Sequence, residues 1–274
     1  MNRYGFTLVE LLVASVVMGI LGLALISMLR GDSRFAAQQN AMVSARRTAR
    51  GALNVMTPEL RLVSGGGLVA VSKDSVRVRV PYAFGMVCGT PSNGHTHISL
   101  LPADSTAYAS AQLAGVAWRS TSGTYSFVTG LSAGNASQAI CAKDSIRIVP
   151  DGREIYVTPS LAAQVAVGTI VYLYQTVTYR FAASTTLPGR RALWRQAGSA
   201  AAQEMVSPFD SSAQFRCLTG ASLVAVSCPP GGGLSAVRGI QVHLVGASEY
   251  APEGRSAPET YDLTTDIPFV NALQ

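Results

Sequence analysis

Charge is scarce in this chain. Asp, Glu, Lys and Arg make up 13% of its 274 residues, about half of the roughly 25% found in an average soluble domain. Beside 48% hydrophobic residues, that scarcity excludes a chain disordered over most of its length and a coiled coil built from Glu and Lys. Lysine is nearly absent: Lys73 and Lys143 are the two, so the 21 basic residues that face 15 acidic ones are almost all arginine. A formal charge of +6 scattered over the chain is too mild to demand a nucleic-acid partner, and none is expected. Motifs that carry chemistry are missing too. There is no EF-hand spacing and no repeat of fixed period. Gly231-Gly232-Gly233 lacks a GK[ST] ending and reads as a turn after Pro229-Pro230. No metal site, no cofactor and no enzymatic activity are expected.

What is present is hydrophobicity, gathered at one end. The mean hydropathy of +0.27 owes much to residues 6–29, FTLVELLVASVVMGILGLALISML, where Glu10 is the lone charge. As a helix this run is about 36 Å long, enough to cross a hydrocarbon core of ~30 Å. No second run of this length occurs, so one crossing is expected. Arg3 precedes the run, and Arg30, Asp32 and Arg34 follow it, which favours an inside N-terminus. A secretory signal has a shorter apolar centre and a cleavage site after it. A plain anchor has no use for Glu10, since a charge at the centre of a membrane helix costs about 2.5–3.5 kcal/mol. Snorkelling from the second turn reduces that cost, yet an intramembrane carboxylate is by default a functional residue.

The segment Gly5-Phe6-Thr7-Leu8-Val9-Glu10-Leu11-Leu12-Val13-Ala14 resembles the class III signal of type IV pilins and type II secretion pseudopilins. The resemblance implies a leader at residues 1–5, cut by a prepilin peptidase between Gly5 and Phe6, and methylation of the new Phe6 amine. The apolar helix then stays in the mature chain. It also implies a role for Glu10: assembly contact with the N-terminal amine of a neighbouring subunit. The physics agrees, because a charge in low dielectric is tolerable only beside an opposite one.

Beyond the run, Met42, Ala45, Ala49, Leu53, Met56, Leu60 and Val63 form one helical stripe, with Arg46, Arg47 and Arg50 mainly off it. The expected helix therefore has a membrane-spanning part at 6–29 and an amphipathic continuation at 30–63. Pro58 should kink it or end it near Thr57, and Gly65-Gly66-Gly67 closes the helical stretch. After that the period changes to two. Residues 68–72 and 75–80 flank Lys73-Asp74 as a hairpin. Further strands are expected at 97–101, 125–129, 145–149, 155–158, 169–181, 192–195, 237–245 and 260–264, separated by Ser-, Gly-, Ala- and Pro-rich stretches such as 120–137 that read as long loops. The fold class is α+β: a long N-terminal helix packed on a mainly antiparallel sheet, with residues 64–274 as a β-rich globular domain. Ala45-Arg46-Arg47-Thr48-Ala49-Arg50 with Leu60-Arg61, then Val177-Thr178-Tyr179-Arg180-Phe181 and Ala192-Leu193-Trp194-Arg195, are similar to PilW-type minor pilins and GspJ-type minor pseudopilins.

Cys88, Cys141, Cys217 and Cys228 allow three connectivities. Their wide spacing forms no CxxC and argues against zinc. All four follow the apolar run, on the oxidising side if the N-terminus is inside, where disulfides are favoured. Sequential pairing, Cys88–Cys141 and Cys217–Cys228, is the expectation, although spacing alone does not choose it. His95-Thr96-His97 reads as an exposed loop next to Gly94, since two imidazoles without a third ligand make a poor metal site. His243 belongs to the polar face of a strand. Glu249, Glu253, Glu259, Asp262 and Asp266 read as a solvated acidic loop. Asn135-Ala136-Ser137 fits a glycosylation triplet that occurs often by chance. Arg190-Arg191 with Trp194-Arg195 could touch phosphates, but a turn leading into a strand explains the segment.

The resemblance implies a non-enzymatic subunit of a pilus-like filament, held in the inner membrane by a single pass with its C-terminal domain in the periplasm, then moved into the pilus or pseudopilus. Its partners would be prepilin peptidase and other pilin or pseudopilin subunits. A 274-residue chain exceeds the family's major pilins, which favours a minor type IV pilin that primes or caps the filament. Glu10 argues against the pseudopilin type that lacks this carboxylate. A minor pseudopilin of type II secretion is the alternative, and a tethered periplasmic enzyme or binding module is the alternative of another class.

Overall fold

A computed structural model describes residues 8–89, 94–137, 139–143, 150–161 and 165–269. The first element, α1 (Leu8–Arg61), is one helix of 54 residues. It runs through Pro58 and ends past it, so of the two outcomes expected of Pro58, a kink or an end near Thr57, the end does not occur. Proline leaves the Asn54 carbonyl without its intrahelical donor, so the last turn needs support from outside the helix. Met56 and Leu60, both at 0% exposure, anchor it in the core on either side of the proline. The turn that follows places Gly66 at φ +79° and closes with Gly67 N–H donating to Ser64 O at 2.8 Å.

The strands are β1 (Leu68–Val71), β2 (Ser75–Gly89), β3 (Thr96–Leu100), β4 (Gly115–Arg119), β5 (Tyr125–Thr129), β6 (Ser132–Asn135), β7 (Arg153–Thr158), β8 (Ile170–Ala183), β9 (Arg191–Ala197), β10 (Gln203–Phe209), β11 (Gln214–Thr219), β12 (Val224–Ser227), β13 (Val237–Ala247) and β14 (Thr260–Pro268). Two short helices, α2 (Pro102–Ser110) and α3 (Ala139–Lys143), lie between strands. The sheet order is β12-β11-β13-β10-β9-β8-β2-β3-β7-β6. Strand β1 pairs with β2, β14 with β13, and β4 sits between β8 and β5. Every described pairing is antiparallel. The Lys73-Asp74 hairpin forms in the expected place, with Val71 opposite Val76. The strand expected at 125–129 forms as β5; the rest of the stretch 120–137 is more ordered than the expected loop, for it holds β6. The expected strand at 145–149 lies outside the described residues.

Two long strands tie the domain together. Along β8, Val171, Leu173, Val177, Tyr179 and Phe181 are buried on one face. Their first two members belong to one core with Ile98, Val116, Trp118 and Ile155; the last three belong to another with Val78, Phe215, Ile240 and the end of α1. Strand β2 bridges the same two cores. Helix α1 lies on the second of them, and there the helical stripe is largely buried: Ala45, Ala49, Met56 and Leu60 are at 0% exposure. Small residues let the helix come close. A Cβ added to Gly246 of β13 would fall 2.3 Å from Ala45 O, so only glycine fits beneath this turn.

Candidate functional site

The outer half of α1 is the most unusual surface of the molecule. Along residues 8–29 the large apolar side chains are exposed: Leu8, Met18, Leu23 and Leu29 are each at least 66% exposed. The helix holds an 18-residue window of mean hydropathy 2.5, none of it buried. It is long and apolar enough to cross a membrane once. A helix apolar all round is stable only inside lipid or among other helices. Glu10 lies in the first described turn of this segment, among Val9, Val13, Ala14 and Val17. Gly5 and Phe6 lie outside the described residues.

The inner half is fixed by polar contacts as well as packing. Arg195 of β9 grips Glu59 with Nη2 on Oε1 at 2.6 Å and Nε on Oε2 at 3.2 Å. The Tyr179 hydroxyl donates to Glu59 Oε2, with the Val55 carbonyl 3.2 Å away. Burial pushes the Tyr179 phenol well above its usual range, and the Glu59 charge pushes it further. The bond to Glu59 likewise raises Arg195, against a smaller opposing effect of burial. This clamp holds the end of the helix past Pro58. Nearer the apolar part, Arg34 reaches Glu253 at 3.8 Å, and Arg46 lies over the Tyr261 ring at 5.0 Å.

Two of the three arginines weighed as phosphate contacts, Arg191 and Arg195, have other work. Arg195 holds Glu59, and Arg191 holds Asp74 at 2.6 Å while donating to Phe181 O and Ser211 O. The structure corrects the reading of His95-Thr96-His97 as an exposed loop. Thr96 and His97 lie buried on β3. His97 Nδ1 is 2.7 Å from Glu154 Oε1, whose other oxygen accepts from Cys141 N–H at 3.3 Å. The alternation of Thr96, Ile98 and Leu100 against His97 and Ser99 was the available signal; Gly94 next to it drew the reading towards a loop. His243 pairs with Asp262 at 2.8 Å on the partly exposed face of β13. The C-terminal acids disperse among separate partners: Glu253 on Arg34, Glu259 near Arg255, Asp262 on His243 and Asp266 on Gln241. Among the described residues no three His, Cys, Asp or Glu side chains gather as metal ligands would. Cys88 is joined to Cys141 and Cys217 to Cys228; the first ties α3 to β2 and the second ties β11 to the residue after β12. Among the described residues the candidate site is the exposed apolar helix with Glu10.

Comparison with known proteins agrees on this segment. Residues 1–26 match the family described as prokaryotic N-terminal methylation motif. No curated protein and no solved structure matches the chain.

Proposed function

We propose that this chain is a minor subunit of a type IV pilus assembly, without enzymatic activity, that primes or caps the filament. One observation supports this most directly. A methylation motif at residues 1–26 leads into a helix whose apolar half is uncovered while its other half is clamped to a sheet. A helix built this way serves two environments with one surface: lipid before assembly, and neighbouring helices afterwards. The methylation signal implies cleavage after Gly5 and a charged amine on Phe6. Glu10, four residues on, would then meet the amine of an adjacent subunit, and each charge would lower the cost of burying the other. The β-rich domain, outside the cytoplasm in this reading, would set which subunits fit beside it.

N-terminal mass spectrometry of the protein, taken from membranes with and without the prepilin peptidase, tests the proposal. A mature chain that begins at methylated Phe6, and is lost without the peptidase, supports it. An uncut chain, or a cut after residue 29, overturns it in favour of a plain anchor or a secreted domain. Recovery of the processed chain in sheared surface filaments separates the pilus from a secretion pseudopilus.

A further inference from the structure

The sheet has a second face, turned away from α1. On β8 the residues that alternate with the buried set point to this face, and register brings those of β2 beside them. Arg77 stands next to Thr178 and Arg79 next to Thr176; Phe84 stands next to Tyr172 and Met86 next to Ile170. The face is therefore divided. One half is basic, with Arg77, Arg79 and Arg180. The other is apolar, with Phe84, Met86 and Ile170 exposed at 44%, 38% and 56%. Among the described residues none of those three arginines joins an ion pair. Arg79 lies over the Phe127 ring at 4.7 Å and donates to Gly66 O, and Arg180 lies over Trp194 at 5.8 Å. The carboxylates that border the face are engaged elsewhere. Asp104 accepts from Phe84 N–H, Glu204 from Ser184, Thr185 and Thr186, and Asp74 from Arg191.

We infer that this face docks a separate protein whose contact strip sets carboxylates beside apolar side chains. Three arguments choose that occupant. The first is size: Arg180 and Ile170 lie near opposite ends of β8, ~33 Å apart at about 3.3 Å per residue. That is long for a small ligand and suits an interface of roughly 800 Å² per partner. The second is composition, since aromatic residues, Met and Arg are the types enriched where proteins meet. The third is charge: three arginines without carboxylate partners ask for acids from outside. Single-stranded nucleic acid needs cations along the whole track; Phe84 and Tyr172 would offer it rings, but Arg77, Arg79 and Arg180 are confined to the other half of the face. The inference rests on the filament reading only in placing this face outside the helix bundle.

The test is a photo-crosslink in the full-length chain in its own cells, with Phe84→p-benzoylphenylalanine as the probe and the adduct identified by mass spectrometry. An adduct with one defined protein is expected, with its yield cut at least tenfold by Arg77→Glu with Arg79→Glu. Reversing the charge of the partner's crosslinked strip should restore it. Both disulfides and parental protease resistance must persist; if the double variant loses them, Arg180→Glu takes its place. No adduct, adducts confined to nucleic acid, lipid or a second copy, or a yield indifferent to charge reversal each overturn the inference. A chain cut at Gly5 and incorporated into filaments, yet without an adduct, overturns the docking surface alone. A charge-dependent adduct on a chain never cut at Gly5 overturns the filament reading alone.

Discussion

Arg195 reaches across from β9 to hold Glu59 at 2.6 Å, one residue past Pro58 in the last turns of the helix. The two side chains are 136 residues apart in sequence, and each is 22% exposed. This contact joins the final turn of α1 to the sheet through β9. Arg195→Ala should cost about 1.5–3 kcal/mol, the range for hydrogen bonds to a charged group. Glu59→Gln should cost less, because an amide keeps one acceptor for Tyr179. A double-mutant cycle, read from thermal unfolding of the full chain in detergent, checks this. Additive losses would show that the pair is not coupled.

Gly246 offers a packing test free of charge effects. A methyl group there would sit 2.3 Å from Ala45 O and 3.0 Å from Ala49 N, both in the backbone of α1. Because backbone cannot swing aside, Gly246→Ala should lose about 1–3 kcal/mol, the usual cost of overpacking. Gly231→Ala, where a Cβ meets nothing within 4 Å, should be nearly neutral. Equal melting temperatures for the two variants would contradict the close approach of helix and sheet.

The turn between β8 and β9 carries an acid-sensitive staple. Burial raises the Glu204 carboxyl, but hydrogen bonds from Ser184, Thr186 and Thr185 outweigh it and hold the pKa at about 2. The folded value lies below the unfolded one of about 4.3, so the stabilisation is complete above that pH and is lost as pH falls through about 2. Glu204→Gln should therefore flatten the stability profile between about pH 4.5 and 2 and change its shape little above pH 6. Thermal melts across that range decide the matter, and a variant with the parental acid slope would show that Glu204 is not the group responsible.

The disulfides should differ in worth. Cys88–Cys141 spans 53 residues and Cys217–Cys228 spans 11. Chain entropy assigns each about 2–4 kcal/mol and the longer loop roughly 1 kcal/mol more. Cys217 and Cys228 also lie on a hairpin already paired by hydrogen bonds, with Cys217 opposite Val226, whereas α3 is a short helix with Glu154 as its added tie. Replacing Cys88 and Cys141 by Ser should lower the melting temperature more than replacing the other pair. The reverse order would show that unfolded-state structure, not loop length, dominates.

How much of this was legible in the sequence depends on the range of each interaction. The helix, the Lys73-Asp74 hairpin and the long strand β8 follow from periodicity, because Val171, Leu173, Val177 and Tyr179 announce their face by spacing alone. Strand β6, Ser132–Asn135, carries no apolar alternation and exists through its pairing with β7. Strand β10 includes Pro208 and shifts register against β9, so a period of two breaks down along it. The Glu59 clamp and the His97–Glu154 pair join residues far apart in the chain, and no local pattern marks them. Pro58 shows the limit from the other side: local sterics favoured a break, and the packing of Met56 and Leu60 prevailed.

Glu10 makes the sharpest functional test, because two steps of the proposed pathway should respond differently. Peptidase recognition rests on the leader and the Gly5-Phe6 junction, so Glu10→Ala should still be cut and methylated at Phe6. Removing the carboxylate also relieves an insertion cost, one that snorkelling from this end of the helix already reduces, so the variant should be held in the membrane at least as well. Assembly should suffer instead: the amine of a neighbouring subunit would enter the bundle without its opposite charge, and leaving one charge of a buried pair alone costs about 3–5 kcal/mol. Quantifying Phe6 methylation, membrane retention and recovery in sheared filaments from one culture separates these effects. Normal processing with at least a tenfold loss from filaments is expected. Unchanged incorporation would mean that Glu10 stabilises no subunit contact, and failed cleavage would move its role back to the peptidase.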